Sequence, residues 1–170
     1  SACLVGSEMC IRDCSLFMVQ NYFNIIFNNL MKLAKKAYDE NEIPISAIIF
    51  CPKKNKIISK AHNTCKSKSD PLGHAEIIAI RKASKKVKNY RFDDMYLFTT
   101  LEPCLMCTSI ILNAKFKRVY FFIEDKKSGA LINNQKLIYD KKIFTKPKIY
   151  YGFKETEYSK LLKKFFLNKR

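Results

Sequence analysis

Two short fragments have to meet in the folded chain if their metal-binding side chains share one ion: HAE at residues 74–76 and PCLMC at residues 103–107. Cys104 and Cys107 are three residues apart, and on a helix this spacing places both sulfur atoms on the same side of one turn. His74 adds an imidazole nitrogen, and zinc prefers sulfur and imidazole ligands in a tetrahedron. Three protein ligands with one open position are typical of a catalytic zinc site.

Glu76 follows His74 by two residues. At this distance its carboxylate can lie near a bound metal without being a ligand. Zinc lowers the pKa of its water to about 7, and a carboxylate beside that water can take up the proton and return it to a leaving amine. The sequence therefore predicts a hydrolytic site in which Glu76 carries protons.

Two other uses of the same residues are open at this point. A closed structural zinc site would take its fourth ligand from Cys51, His62 or Cys65. These three residues lack paired ligand spacing, and a structural site would leave Glu76 without a role. A redox pair in the PCLMC fragment would leave the whole HAE fragment without a role.

Apolar residues follow helical spacing in some segments and form short strand-like runs in others. Helical spacing predicts a helix over residues 19–40, helices that begin at His74 and Pro103, and a closing helix over residues 155–166. Apolar runs predict strands over residues 45–51, 57–58, 95–100 and 117–123. This alternation indicates an α/β fold, and the early hairpin followed by strand–helix units indicates a mixed sheet.

The length and composition suit one domain with a substantial core, at 170 residues and 48% hydrophobic. We expect this domain to span residues 18–170. Residues 1–17 are expected to be a non-native leader, because LVGSEMCIRD at residues 4–13 corresponds to one translated frame of a transposase sequencing adapter. A native start near Met18 would follow that leader.

The formal charge is +17, from 32 basic and 15 acidic residues. Such an excess commonly accompanies binding to RNA, DNA or an acidic membrane face. An AT-rich genome, which encodes Lys, Asn and Ile frequently, explains part of the excess equally well. No apolar run approaches the roughly 20 residues that span a bilayer, so we expect no membrane segment and a cytoplasmic location.

Further fragments accompany the two metal-binding ones: DP at residues 70–71, NYR at 89–91, TLEPCLMC at 100–107 and KSGA at 127–130. With them, residues 18–170 resemble the tRNA-specific adenosine deaminase family of the cytidine-deaminase-like superfamily. The H-x-E and P-C-x-x-C signature is that of zinc deaminases acting on nucleobases. The resemblance implies a three-layer α/β/α fold around a mixed sheet of about five strands, one Zn²⁺ per subunit and a homodimer.

The resemblance also implies roles for individual residues. The zinc ligands would be His74, Cys104 and Cys107, and the catalytic residue would be Glu76. Contacts to the substrate would come from Asn63, Asp125, Lys127 and Phe166. Without the resemblance, Asn63 would be interpreted as a turn residue, Asp125 as a solvated loop charge and Phe166 as a core-facing helix residue.

Two segments depart from the family pattern. Residues 44–47 read PISA where the family usually has PVGA, and we expect Ser46, in place of glycine, to tighten the floor of the pocket. Residues 131–134 read LINN where the family more often has small residues. We expect this loop to affect the preference for nucleotides that flank the target base.

The implied activity is hydrolytic deamination of adenosine to inosine at the wobble position of tRNA anticodon loops. Bases in an RNA loop are already partly unstacked, and a basic surface would hold the phosphates of an anticodon stem-loop. A guanine, cytosine or nucleoside deaminase could use the same zinc site without a basic surface. A non-catalytic RNA-binding subunit could retain the zinc but would not need Glu76.

Overall fold

The computed structural model describes residues 14–134 and 146–168. In chain order its elements are α1 (Cys14–Asp39), β1 (Ser46–Cys51), β2 (Lys56–His62), α2 (Ala75–Val87), β3 (Tyr96–Leu101), α3 (Leu105–Asn113), β4 (Arg118–Ile123), β5 (Lys148–Tyr151) and α4 (Glu155–Leu167). The strands form one sheet in the order β2-β1-β3-β4-β5. β1 is antiparallel to β2 and β3, whereas β3, β4 and β5 are parallel. The predicted mixed, five-stranded sheet is confirmed.

Alternate residues of β1 face two different layers of helices. Ala47 and Ile49 belong to an apolar cluster with α2 and α3, while Ile48 and Phe50 belong to a cluster with α1 and α4. Every residue of β1 is buried, because helices cover both faces of the sheet. This arrangement confirms the three-layer α/β/α architecture.

One stripe of α1 packs on the sheet. Ile26, Leu30 and Ala34 follow each other at four-residue spacing and are fully buried, as expected for an amphipathic helix on a core. The helix begins at Cys14 rather than at residue 19, so its first turn lies within the segment predicted to be a leader. That assignment stays a prediction, since residues 1–13 lie outside the described residues. None of the described helices has the length and apolar character needed to cross a bilayer.

The prediction that α3 begins at Pro103 is wrong by two residues. The first helical residue is Leu105, and Cys104 precedes it with an extended backbone, at φ −67° and ψ 172°. The chain stays extended because it is paired to a neighbouring loop: the Pro103 carbonyl accepts the N–H of Ala130, and Cys104 forms a β-bridge with Gly129. The helix can start only after this pairing ends.

Ser46 does not line the side of the sheet that carries α2 and α3. Its hydroxyl donates to the Leu30 carbonyl of α1 at 2.8 Å, and the residue is fully buried. Neighbouring residues of a strand face opposite sides of the sheet, and Ala47 is the residue that packs with α2 and α3. The expectation that Ser46 tightens the floor of the pocket is therefore wrong.

The two metal-binding fragments are at the same edge of the sheet. The start of β1 pairs with the end of β2 through Ser46 and His62, and with the end of β3 through Ala47 and Thr99. A loop from β2 leads to α2, and a short turn from β3 leads to α3. The carboxyl ends of parallel strands are where α/β sheets commonly bind ligands.

Candidate active site

Three side chains at the starts of α2 and α3 form a potential metal site. His74 and Cys104 each precede the first residue of a helix, and Cys107 lies in the first turn of α3. His74 Nδ1 is 3.8 Å from Cys104 Sγ and 3.5 Å from Cys107 Sγ, and the three ligand atoms lie within 4.8 Å of one another. Tetrahedral zinc with ordinary bond lengths would separate nitrogen and sulfur ligands by about 3.6 Å. The donor set and its spacing therefore fit zinc.

Hydrogen bonds among the same three side chains shift their pKa values. The hydrogen bond with Cys107 lowers the pKa of the Cys104 thiol to about 4. That bond, together with burial, raises the pKa of Cys107, and hydrogen bonding to Cys104 raises the pKa of His74. One thiolate is thus already stabilised at Cys104. Because thiolates and neutral imidazole are the metal-binding forms, a divalent cation would displace the remaining protons.

Glu76 places a buried carboxyl group beside these ligands. It lies in the first turn of α2, its exposed fraction is 3%, and its Oε2 has no hydrogen-bond partner among the described residues. Burial raises the pKa of Glu76 to about 7. A carboxyl group with such a pKa can both accept and release a proton near neutral pH, which is the property required of a general acid and base.

Asn63 is fixed next to the start of α2. It follows β2, its exposed fraction is 3%, and its Oδ1 accepts the N–H of Ala75 at 2.8 Å. Ala75 directly follows His74, so this bond joins the end of β2 to the residue next to a candidate metal ligand. This bond uses only the oxygen of the amide, so the Asn63 Nδ2 can donate to a bound molecule.

A second buried glutamate, Glu42, holds the loop that contains Asn63. Its exposed fraction is 1%, and its Oε1 accepts the N–H groups of Lys66 and Ser67, both at 2.8 Å. Glu42 could not be predicted from the sequence, because no local pattern links it to residues 24 and 25 positions later in the chain. Its contacts fix the loop over residues 63–73 against the end of α1.

The loop after β4 lies against the start of α3. Gly129 in this loop forms the β-bridge with Cys104. Asp125 uses its Oδ1 to accept the N–H groups of Lys127 at 3.0 Å and Ser128 at 3.1 Å, and the side chain of Lys127 is exposed. The predicted substrate contacts Asp125 and Lys127 are thus on a loop joined to the backbone of a candidate metal ligand.

Phe166 lies on the last turn of α4, with 52% of its surface exposed. Its neighbour Phe165 is buried and packs against the ring of Tyr38 at a centroid distance of 6.0 Å. Asn168 Nδ2 also donates to the Tyr38 hydroxyl at 2.9 Å. Tyr38 is in the last turn of α1, which leads to the start of β1, so Phe166 is at the same end of the sheet as Asn63. The core-facing residue is Phe165 and not Phe166.

The closed structural zinc site is not supported by the positions of its candidate ligands. Within residues 14–134 and 146–168, the only group suited to hold a metal consists of the three ligands already described. His62 instead places Nε2 3.7 Å from Glu40 Oε2 and Nδ1 2.9 Å from the Asn63 carbonyl. Cys51 and Cys65 are free thiols outside the group. A tetrahedral metal ion held by these three side chains alone would have one open ligand position, as expected for a catalytic centre.

The fold and the site define a deaminase. A family model described as MafB19-like deaminase matches residues 21–170. A solved structure from a study of A-to-I editing by tRNA:A34 deaminases at the wobble position of transfer RNA has a TM-score of 0.73 and 29% identity, covering 78% of this chain and 95% of that chain. A guanine deaminase from Bacillus subtilis has a TM-score of 0.55 and 30% identity, covering 69% and 71%.

Curated relatives narrow the class further. The tRNA-specific adenosine deaminase of Rickettsia bellii is 37% identical over 80% of this chain and 94% of its own length. The tRNA-specific adenosine deaminase of Buchnera aphidicola is 38% identical over 82% and 91%. The chain belongs to the family of tRNA-specific adenosine deaminases.

Proposed function

We propose that this protein is a zinc-dependent hydrolase that converts adenosine to inosine at the wobble position of tRNA anticodon loops. The observation that carries the proposal is the cluster of His74, Cys104 and Cys107 beside the buried carboxyl group of Glu76, whose Oε2 has no hydrogen-bond partner among the described residues. The similarity to tRNA-specific adenosine deaminases along nearly their whole length supports the substrate. The activity replaces the exocyclic amine at C6 of adenine with the oxygen of water and releases ammonia.

Each protein group has a role that follows from its surroundings. A zinc ion held by His74, Cys104 and Cys107 would supply Lewis-acid activation of the attacking water. Glu76 takes a proton at its unpartnered Oε2 and later gives it to the departing amine. Asn63 offers Nδ2 to an acceptor on the purine, because its Oδ1 is held by Ala75.

The remaining residues contact the nucleotides around the target base. The charge of Lys127 suits a phosphate, and the exposed ring of Phe166 suits stacking on an unpaired base. Asp125 holds the turn that presents Lys127 and has a second carboxylate oxygen that can accept from the RNA. A net charge of +17 supports a polyanionic substrate.

The proposal includes one zinc ion per chain, which metal analysis after purification tests. Removal of the metal with a chelator is expected to abolish deamination, and added Zn²⁺ is expected to restore it. Cys107→Ser is expected to lower the zinc content strongly. Cys65→Ser, a change at a half-buried thiol outside the site, is the matched control and is expected to retain one zinc per chain.

The proposal also includes a homodimer that acts in the cytoplasm, where tRNA is located. Leu72 and Leu105 support a subunit contact near the site, because these apolar side chains are 38% and 44% exposed beside the metal ligands. Light scattering of the purified protein is expected to give the mass of two chains. A monomer at all concentrations that support activity would contradict this part.

The central test is conversion of adenosine to inosine in an anticodon stem-loop with adenosine at the wobble position. We expect conversion by the zinc-loaded protein and a decrease of at least about 100-fold in Glu76→Ala with its zinc retained. Activity unchanged by Glu76→Ala would exclude the assigned proton carrier. Deamination of guanine or cytosine, with none of the stem-loop, would exclude the tRNA substrate, and folded, zinc-loaded protein without any activity would indicate a non-catalytic subunit.

A further inference from the structure

The loop over residues 124–134 converges on one buried carboxylate, Glu102, whose exposed fraction is 2%. Its Oε1 accepts the N–H of Ile132 at 2.7 Å and the N–H of Asn133 at 3.1 Å. Its Oε2 accepts the N–H of Asp125 at 3.1 Å and the Nδ2 of Asn133 at 2.6 Å. Four donors from both ends of one loop therefore bond to the carboxylate of Glu102, which directly follows the last residue of β3.

The middle of the same loop approaches Glu102 just as closely. A Cβ atom built at Gly129 would overlap the Glu102 carboxylate and the carbonyl of Asp125. The absence of a side chain at this position lets the loop pass directly over the carboxylate. Gly129 also bridges Cys104, and Ala130 N–H donates to the Pro103 carbonyl. The loop is thus built around Glu102 and joined to the metal-binding fragment on its other side.

We propose that Glu102 is a positioning residue that holds the RNA-facing loop in place beside the metal site. This inference rests on the proposed function, because that function makes Asp125 and Lys127 contacts to the anticodon loop. Glu102 itself does not touch the substrate. It acts through the N–H of Asp125 at one end of the loop and those of Ile132 and Asn133 at the other.

The chemistry of the side chain explains why a close substitute would fail. An ionised carboxylate is an acceptor at both oxygens, whereas glutamine has one acceptor oxygen and an NH2 group that only donates. In Glu102→Gln, the NH2 group would face two of the four N–H donors whichever way the amide is turned. The size of the side chain would hardly change, so the substitution isolates the hydrogen bonding from the packing.

The test compares Glu102→Gln with Glu124→Gln on the anticodon stem-loop. Glu124 is the matched control, because its carboxylate accepts from the same Asn133 Nδ2 but only at 3.3 Å and at the surface. We expect Glu102→Gln to raise KM about tenfold or more and to leave kcat and zinc content within about twofold of the wild type. A raised KM at unchanged kcat indicates that the loop binds the RNA more weakly while the reaction centre is intact. Glu124→Gln is expected to change KM less than about twofold.

Hydrogen exchange provides a measurement that does not depend on turnover. The amides of Asp125, Ile132 and Asn133 are expected to exchange faster in Glu102→Gln, while amides in β1 and α2 keep their protection. If Glu102→Gln does not fold, Asn133→Ala removes one donor from an exposed residue, and a smaller rise in KM is expected. A wild-type protein that edits no stem-loop would contradict the proposed function, whereas the exchange result would still report on the loop.

Three results would overturn the positioning role. Glu102→Gln could lose zinc, which would assign Glu102 to the stability of the metal fragment. It could lower kcat with KM unchanged, which would place it in the reaction itself. It could leave KM, kcat and the exchange of the loop amides unchanged, which would mean that the four hydrogen bonds do not hold the loop.

Discussion

At the residue scale, the site depends on buried polar groups that are only partly satisfied by the protein. Most buried polar atoms in folded proteins have a partner, and leaving one without a partner costs about 1–3 kcal/mol. Glu76 Oε2 has no partner among the described residues, and the bond that Asn63 makes to the N–H of Ala75 uses its oxygen and not its nitrogen. Both side chains adjoin the candidate metal ligands, which is where a substrate would complete the hydrogen bonding.

Asn63→Asp separates the two functions of this side chain. Aspartate keeps an oxygen that accepts the N–H of Ala75, so we expect the thermal stability to change little. It removes the NH2 donor and introduces a charge near the base, so we expect kcat/KM for the stem-loop to fall by about 10- to 100-fold. Calorimetry and steady-state kinetics on the same preparation measure both effects.

Asn63→Ala is the comparison for this prediction. It removes the acceptor as well as the donor, and loss of a side-chain bond to a helix start costs about 1 kcal/mol. We expect Asn63→Ala to be both less stable and less active than the wild type. An Asn63→Asp protein with full activity would show that Nδ2 is not used by the substrate.

At the scale of elements, one hydrogen bond joins the start of β1 to α1. The Ser46 hydroxyl donates to the Leu30 carbonyl, and the Ser46 N–H donates to the Thr100 hydroxyl at 3.1 Å. Both contacts are buried, so the strand, the helix and the end of β3 are tied at the edge of the sheet that carries the site. The side chain of Ser46 is nevertheless on the face of the sheet away from α2 and α3.

Ser46→Ala is expected to lower stability without affecting catalysis. The Leu30 carbonyl would lose a donor in a buried environment, which costs about 1 kcal/mol and lowers Tm by about 2–4 °C for a chain of this length. We expect KM and kcat for the stem-loop below Tm to remain within about twofold of the wild type. A large rise in KM at unchanged Tm would instead indicate that Ser46 contributes to substrate binding.

Elements with a clear apolar period and ligands with distinctive chemistry could be predicted from the sequence. The β1–β2 hairpin, α2 after His74 and the grouping of His74, Cys104 and Cys107 follow from such patterns. β5 could not be predicted as an individual strand, because it has four residues, none of them fully buried. The contacts of Glu102 could not be predicted either. They join residues 23 to 31 positions apart, and they depend on how the segment after β3 packs against the loop after β4.

At the scale of the whole molecule, the excess of positive charge and the candidate reaction site differ in their exposure to salt. The net charge is +17, while the metal site and Glu76 are half-buried or buried. Exposed charges attract the phosphates of RNA over distances set by the ionic strength, whereas buried groups are screened much less. Salt should therefore act on the association with RNA and hardly on the reaction at the site.

KM for the stem-loop is expected to rise steeply between 50 and 200 mM salt. Each phosphate contact contributes a slope of about −0.7 to −0.9 to the dependence of log affinity on log salt, so several contacts give at least a tenfold change. We expect kcat to remain nearly constant over the same range. A KM that does not respond to salt would mean that the basic surface is not used and that its charge reflects the composition of the genome.

The close passage of the loop over Glu102 also limits which residues related sequences can have at position 129. Glycine at 129 is needed for space, because any side chain there would overlap the carboxylate. Gly152 is different: nothing lies within 4 Å of a Cβ built on it, but its φ is +91°, so glycine is needed there for the backbone conformation rather than for space. A replacement of Gly129 requires both a shorter side chain at 102 and a shift of the Asp125 carbonyl, so we expect glycine at 129 wherever glutamate is present at 102 in an alignment.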